Sequence, residues 1–169
     1  MGYGYLYRCA SCGFEDEVLV GVGFGHTQEV GEIYRGFQLG AYGPRLRRVF
    51  RKSKLAGVSA NHDVFVCESC GHWSTFVDAS IWEPNDPDQA VAEAAQNNNP
   101  YWEWDNHPAF IDTEAWHPAC AYEPKCPKCS AKMHHLGLGD RYETDVVLPC
   151  PECGEKNRLS DGMSMINWD

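Results

Sequence analysis

Hydrophobic and polar positions alternate in four short stretches, and each stretch adjoins a pair of cysteines. They read YLYRC and EDEVLVGVGF around the first pair, and DVFVC and HWSTFVD around the second. Alternation with a period of two, rich in valine, tyrosine and phenylalanine, is typical of half-buried strands. The pattern therefore predicts two β-hairpins, each with two cysteines at its turn.

Two other stretches follow a helical period. Apolar residues recur near helical spacing within residues 43–56, with Pro44 at a permitted first-turn position and Gly57 at a suitable end. A shorter helix is predicted at residues 88–96, before a run of asparagines and Pro100. The first helix lies between the first two cysteine pairs, so we predict it as an insertion between the two hairpins.

Eight of the nine cysteines fall into four C-x-x-C pairs, which suggests metal ligands. Two cysteines separated by two residues can reach one ion from a single tight turn, and Zn²⁺ takes four ligands in a tetrahedron. Four pairs therefore predict two zinc sites per chain, each with four cysteine ligands. The predicted ligands are Cys9, Cys12, Cys67, Cys70, Cys126, Cys129, Cys150 and Cys153.

The residue after the second cysteine of each pair supports a metal-binding turn. It is Gly13, Gly71 or Gly154 in three of the turns, and Ser130 in the remaining one. This position of a metal knuckle often has φ > 0, which glycine adopts at little cost. We expect the same conformation in all four turns, with slight strain at Ser130.

The spacing between pairs favours two consecutive zinc ribbons. Twenty residues separate Cys129 from Cys150, within the range of a zinc ribbon, and 54 separate Cys12 from Cys67. We therefore predict that the first pair joins the second and that the third joins the fourth. The main alternative is a cross-braced arrangement, in which the first pair joins the third and the second joins the fourth.

These elements predict a small, metal-stabilised, β-rich α+β fold with two zinc-ribbon units built on rubredoxin-like knuckles. The chain has 169 residues, 43% of them apolar, which is enough for one domain or two small ones. Residues 1–80 would form the first ribbon with its inserted basic helix at about 43–56, and residues 123–169 the second ribbon and a C-terminal tail. Residues 81–122 would form an irregular, acidic and aromatic connecting segment, whose Trp102 and Trp104 pack on the ribbons or dock a partner.

A redox or catalytic role has less support than metal binding. A reactive dithiol needs a helix N-terminus after its first cysteine, whereas these pairs are followed by glycine or serine and then by strand-like or polar sequence. The ninth cysteine, Cys120, could act as a nucleophile with His107 or His117. It also has knuckle spacing with His117, and the two could form a third, weaker metal site with His134 or His135. A lone cysteine is more often a small buried apolar residue.

Charge is divided unevenly along the chain and bears on the choice of partner. Residues 33–62 contain seven basic residues and no acidic one, whereas residues 55–124 contain twelve acidic residues and no lysine or arginine. The formal net charge is −10, and two zinc-tetrathiolate centres at −2 each would bring it to −14. Such a charge opposes binding to phosphates, which is largely electrostatic. The candidate macromolecule-binding residues are Arg45, Arg47, Arg48, Arg51, Lys52 and Lys54.

The chain shows no membrane or export signal that we recognise. It has no run of 18 apolar residues, and glycines and Arg8 interrupt the apolar start. Reduced cysteines at regular spacings are typical of a reducing compartment. We therefore expect a cytoplasmic protein without a membrane partner.

The segments LYRCASCGFEDEVLVGVGF, VFVCESCGHW, CPKCSAKM and LPCPECG, with the final NWD, resemble a bacterial family of small, uncharacterised proteins with two four-cysteine zinc ribbons. The resemblance implies the fold and the metal and supplies no activity. The sequence thus favours a non-catalytic zinc-ribbon protein with two structural zinc sites that binds a macromolecular partner. The favoured partner is another protein. The alternatives are a zinc-ribbon protein associated with RNA or DNA, and a thiol or metal-dependent enzyme using Cys120.

Overall fold

A computed structural model describes residues 3–23, 26–96, 111, 113–138 and 146–159 of the chain. Within these residues it contains three helices and ten short strands. The helices are α1 (His26–Leu39), α2 (Pro44–Lys52) and α3 (Pro87–Gln96). The strands are β1 (Tyr3–Arg8), β2 (Glu15–Val20), β3 (Gly57–Val58), β4 (His62–Cys67), β5 (Trp73–Val77), β6 (Ile81–Pro84), β7 (Trp116–Cys120), β8 (Met133–His135), β9 (Val147–Pro149) and β10 (Lys156–Arg158).

Both predicted hairpins are confirmed. Strands β1 and β2 pair antiparallel from Tyr3 opposite Val20 to Arg8 opposite Glu15. Strands β4 and β5 pair in the same way, from His62 opposite Val77 to Val66 opposite Trp73. Each hairpin places a C-x-x-C pair at its turn, as the alternating pattern predicts.

The two predicted helices are also present, and a third precedes them. Helix α2 ends at Lys52, short of the predicted residue 56, because Ser53 adopts an extended conformation and its N–H bonds to the carbonyl of Val49. Helix α1 is absent from the sequence-based prediction. Its two glycines weaken the helical pattern in the sequence. One of them, Gly36, is required because a Cβ there would clash with the ring of Tyr42.

The contacts divide the chain into two compact units made of non-consecutive segments. The first unit contains the described residues of Met1–Phe24, Asn61–Val77 and Glu123–Asp169. The second contains those of Gly25–Ala60 and Asp78–Tyr122. Each unit therefore depends on chain segments that are far apart in sequence.

Three small sheets form the first unit. They are β1-β2, β9-β10 and the three-stranded sheet β5-β4-β8. Tyr7, Trp73 and Leu148 come from different sheets and lie in one buried hydrophobic cluster. The rings of Tyr7 and Trp73 meet edge to face with centroids 5.1 Å apart, and the Trp73 indole N–H donates to the carbonyl of Pro149 at 2.7 Å. A single core therefore holds all three sheets together.

The second unit combines the sheet β3-β6-β7 with helices α1 and α2. Its core contains the aromatic pair Tyr34 and Phe37 of α1, with Val58 and Ile81 from the sheet. The described residues of 81–122 are more regular than predicted. They include the predicted helix α3 and also strands β6 and β7, which belong to this sheet. The predictions for Trp102, Trp104 and His107 fall outside the described residues.

Candidate metal centres

The structure gathers the eight paired cysteines into two clusters by a nested pairing. The outer cluster contains Cys9, Cys12, Cys150 and Cys153, and the inner cluster contains Cys67, Cys70, Cys126 and Cys129. The first pair thus joins the fourth, and the second joins the third. The predicted consecutive pairing was wrong, and so was the cross-braced alternative.

Distances between the sulfurs suit a tetrahedral metal ion. In the outer cluster, the Sγ atoms of Cys9 and Cys153 are 3.5 Å apart and those of Cys12 and Cys150 are 3.6 Å apart. In the inner cluster, the closest separations are 3.4–3.6 Å, and all sulfurs in each cluster lie within 4.8 Å of one another. Four sulfurs placed about 2.3 Å from a central ion form a tetrahedron with edges of about 3.8 Å. Both clusters are therefore close to the dimensions of a tetrathiolate site.

All four C-x-x-C turns have the same backbone hydrogen bonds. In the first, the N–H of Cys9 donates to the carbonyl of Phe14 at 2.8 Å, and the N–H of Gly13 donates back to the carbonyl of Cys9 at 3.0 Å. The other three turns repeat both bonds at 2.7–3.0 Å. In every turn the first cysteine is buried and the second is exposed. The turns thus present their sulfur atoms in one common geometry.

The left-handed position predicted in these turns is confirmed. The glycine that follows the second cysteine has φ between 71° and 78° in three turns, and Ser130 has φ 60° in the fourth. This region is unfavourable for a residue with a Cβ, so the Ser130 turn stores some backbone strain.

Strand pairing explains why the inner cluster joins the second and third pairs. Strand β8, which follows the third pair, adds to the free edge of β4, with Met133 opposite Cys67 and His135 opposite Phe65. The buried carboxylate of Asp63 on β4 fixes this arrangement by accepting hydrogen bonds from the N–H of Leu138 at 3.0 Å and from Nε2 of His135 at 2.9 Å. The chain after the third cysteine pair therefore pairs with β4, which brings the third cysteine pair next to the second rather than the fourth.

The outer cluster is held by packing between the first and last hairpins. Leu148 of β9 is 1% exposed and lies in the same core as Tyr7 of β1, whose hydroxyl donates to the Leu148 carbonyl at 3.3 Å. The clusters are also linked, because Nζ of Lys128 in the third turn donates to the carbonyl of Pro151 in the fourth at 2.6 Å. The two candidate centres therefore belong to one packed unit.

The backbone prepares one sulfur of each cluster for ionisation. The N–H of Cys12 lowers the pKa of the Cys9 thiol to about 6, with desolvation opposing it and the N–H of Ser11 assisting. Desolvation raises the pKa of the Cys67 thiol, but the N–H groups of Cys70 and Ser69 outweigh it and bring the value to about 7. The backbone N–H groups therefore favour ionisation of these two buried sulfurs.

The pKa of two exposed thiols, Cys12 and Cys70, is shifted in the opposite direction. The N–H of Phe14 lowers the pKa of Cys12, but desolvation and the other cysteines of the outer cluster outweigh it and raise the pKa to about 12. The pKa of Cys70 is raised to about 12 in the same manner, against the N–H of His72. Adjacent thiolates repel one another, so each cluster retains protons until a cation compensates the charge. A bound metal ion deprotonates such thiols outright and releases those protons.

Asn157 of β10 contacts the outer cluster and was not singled out by the sequence. Its Nδ2 lies 3.5 Å from the Cys9 sulfur and 3.3 Å from the Tyr7 hydroxyl, and its Oδ1 accepts the N–H of Ala10 at 3.3 Å. One side chain of the last hairpin thus contacts both the first turn and one of its sulfurs. A lone asparagine two residues beyond Glu155 has no sequence signature, so only the structure could reveal it.

We expect Asn157→Ala to weaken metal binding at the outer cluster by about tenfold to a hundredfold, the usual effect of removing a group that hydrogen-bonds a metal ligand. The inner cluster, which Asn157 does not contact in the described structure, should keep its affinity. Competition with a chromophoric chelator would resolve the two affinities. Asn85→Ala, an exposed asparagine of the second unit bonded to Glu114 and His117, is the matched control. Equal weakening of both clusters would show that Asn157 supports the fold in general rather than this site.

Cys120 is not part of either cluster. It is 3% exposed, and its sulfur has the carbonyl of Ala121 as a weak acceptor at 4.0 Å. On the same strand, the exposed His117 bonds to Asn85 at 3.0 Å. His134 and His135 lie on β8 in the first unit, whereas Cys120 lies in the second. Within the described part of the chain, a third metal site at Cys120 is thus not formed.

The candidate macromolecule-binding residues cluster on and just after α2. Arg45, Arg48, Arg51, Lys52 and Lys54 are exposed, whereas Arg47 is partly buried. Lys54 pairs with Asp88 at 2.9 Å, with both side chains exposed. Most of these basic side chains are therefore accessible, and Lys54 pairs with an acidic residue of α3.

Comparison with known proteins adds no relatives: no family model, no curated protein and no solved structure matches the chain. No helix among the described residues has the length and apolar character needed to cross a membrane. The two four-cysteine clusters could each hold a metal ion. They are the observations from which a function can be argued.

Proposed function

We propose that this chain is a non-catalytic zinc-ribbon protein with two structural four-cysteine zinc sites, and that it binds a macromolecular partner, preferably a protein. The observation that supports the proposal is the convergence of eight cysteines into two sets of four sulfurs with near-tetrahedral spacing. The outer cluster would hold one zinc ion and the inner cluster the other. The repeated turns would act as paired zinc knuckles.

The donor set supports a structural rather than a catalytic metal. Four protein thiolates fill every position of a tetrahedral ion and leave none for water or substrate. Soft thiolate ligands favour zinc, copper(I) or iron over magnesium or calcium, and zinc brings no redox chemistry. The metal would then contribute stability and leave the surface of the protein for recognition.

The sheets around the clusters also need such support. The sheets β1-β2 and β9-β10 have two strands each, and strands β8, β9 and β10 have three residues each. An isolated two-stranded sheet is at best marginally stable in water. Two metal ions, each bridging two of the four turns, would connect these sheets to the shared core.

A reducing compartment such as the cytoplasm suits this function, because oxidised cysteines do not bind zinc. Two features favour a protein partner over a nucleic acid. The net charge is −10 before metal binding, which opposes phosphates. The described surface also carries a groove beside helix α2 with both apolar and cationic walls.

The metal content of the purified protein tests the proposal. We expect two zinc ions per chain by elemental mass spectrometry, with no visible absorption. Cobalt substitution should give the intense visible bands of tetrahedral thiolate coordination at both sites. A stoichiometric iron content, or a protein that folds with no bound metal, would overturn the assignment of structural zinc.

A further inference from the structure

A groove lies between the C-terminal end of α1 and helix α2, within the second unit. Its volume is about 440 Å³. Besides Gly40, its walls are formed by two apolar residues and four basic ones, namely Leu39, Pro44, Arg47, Arg48, Arg51 and Lys52. We refer to it as the cationic groove.

The charge of the groove has a single sign. All four of its ionisable wall residues are basic, and α2 itself contains no acidic residue. Arg48, Arg51 and Lys52 are exposed. The Nε of Arg47 is buried and has no hydrogen-bond partner within the described residues. The groove is therefore suited to an anionic ligand.

The groove also has an apolar wall. Leu39 is 74% exposed, the highest value among the large hydrophobic residues of the described structure, and Pro44 in the same wall is also exposed. An exposed leucine next to four cations would make contact with an apolar side chain of a ligand. Simple phosphate groups offer no such contact.

We infer that the cationic groove binds an acidic peptide segment of a partner protein, with carboxylates on the arginines and an apolar side chain on Leu39. This inference rests on the proposed function and names the chemistry of the protein partner. Arginine is well matched to carboxylates, because its planar guanidinium donates two parallel hydrogen bonds. Helix α2 has nine residues and is about 13 Å long, a length that about four extended peptide residues would span.

A nucleic acid fits the same groove less well. Single-stranded nucleic acids bind through aromatic side chains on which bases stack, and no aromatic residue is among the described residues that line the groove. Duplexes depend on phosphate contacts spread over a long surface, whereas the cations of the groove all lie on one nine-residue helix. A nucleic acid would also leave the exposed Leu39 side chain without an apolar contact.

Binding of short fluorescent probes to the full-length, zinc-loaded protein tests the inference. The probes are a peptide of glutamates around one leucine, the same peptide with glutamine in place of glutamate, and an oligothymidylate of similar length. Fluorescence anisotropy at physiological salt should show binding of the acidic peptide, with the other two at least about tenfold weaker. Tighter binding of the oligothymidylate, or equal binding of the glutamine peptide, would overturn the inference.

Three variants locate the site on the protein. The double variant Arg48→Glu with Arg51→Glu should weaken peptide binding at least about tenfold through charge reversal. Leu39→Ser should weaken it by about tenfold through loss of apolar contact, with little effect on folding because the side chain is exposed. Arg45→Glu is the matched control, since Arg45 is exposed on the same helix but does not line the groove. It should have the smallest effect.

The outcomes separate this inference from the proposed function. Zinc content is measured on every variant, and two ions per chain with no peptide binding would overturn the groove assignment alone. An unaffected Leu39→Ser variant would remove the apolar contact and with it the peptide. If the double charge reversal lowers the melting temperature and no probe binds, the groove is covered by this chain itself and the inference fails.

Discussion

Removal of both metal ions is expected to unfold the first unit of the protein. Structural zinc contributes about 10–16 kcal/mol of apparent binding free energy per site in small zinc domains, which exceeds the stability of most small folds. The core around Tyr7 and Trp73 would then lose the cross-links between its hairpins. Nuclear magnetic resonance of the tryptophan indole groups checks this, because the buried Trp73 should lose its dispersed signal when a chelator is added.

Reversibility distinguishes metal dependence from damage by the chelator. Zinc added back under reducing conditions should restore the Trp73 signal, whereas magnesium should not, because hard cations prefer oxygen ligands. A chelated protein that keeps a dispersed Trp73 signal and a cooperative thermal transition would show that the shared core suffices without metal.

Paired cysteine substitutions should abolish one metal site or impair both, depending on which pair is changed. With the nested pairing, Cys12→Ser with Cys153→Ser removes two ligands from the outer cluster and leaves the inner one complete. The protein should then bind one metal ion with native affinity. In contrast, Cys12→Ser with Cys70→Ser removes one ligand from each cluster, so both sites should be weakened.

The comparison of these two double variants separates the three ways of pairing. All three cysteines are the exposed members of their turns, so the substitutions are matched in burial. Consecutive pairing would give the reverse result, with one complete site in the variant that lacks Cys12 and Cys70. Cross-braced pairing would impair both sites in both variants. Titration with cobalt, read from its thiolate charge-transfer band, reports the number of complete sites.

Local features of the cysteine turns could be predicted from the sequence, because they depend on residues close to one another along the chain. The hairpin strands follow from alternation within five or six residues, and the left-handed position follows from a glycine at one fixed place in each of three turns. Even the exception, Ser130, adopts the expected conformation. Helix α2 was similarly visible from Pro44 and its spaced apolar residues.

The pairing of the turns could not be predicted in this way, because the free-energy cost of closing a loop depends only weakly on its length. Joining Cys12 to Cys150 closes 137 intervening residues rather than the 54 before Cys67. The added entropic cost is about 0.8 kcal/mol, since it grows only with the logarithm of loop length. The contacts of Asp63 with Leu138 and His135, and of Tyr7 with Leu148, outweigh such a term. These long-range contacts have no local sequence signal.

The nested pairing also determines when each metal site can be completed during synthesis of the chain. The inner cluster needs Cys126 to follow Cys70 by 56 residues, whereas the outer cluster needs Cys150 to follow Cys12 by 138. At about 5–20 residues per second, these intervals last about 3–11 s and about 7–28 s. The cysteines made first therefore wait longest for their partners. Throughout that interval Cys9 and Cys12 are a dithiol without their partners on a growing chain, and metal binding at the outer cluster would require that they stay reduced until the last turn is made.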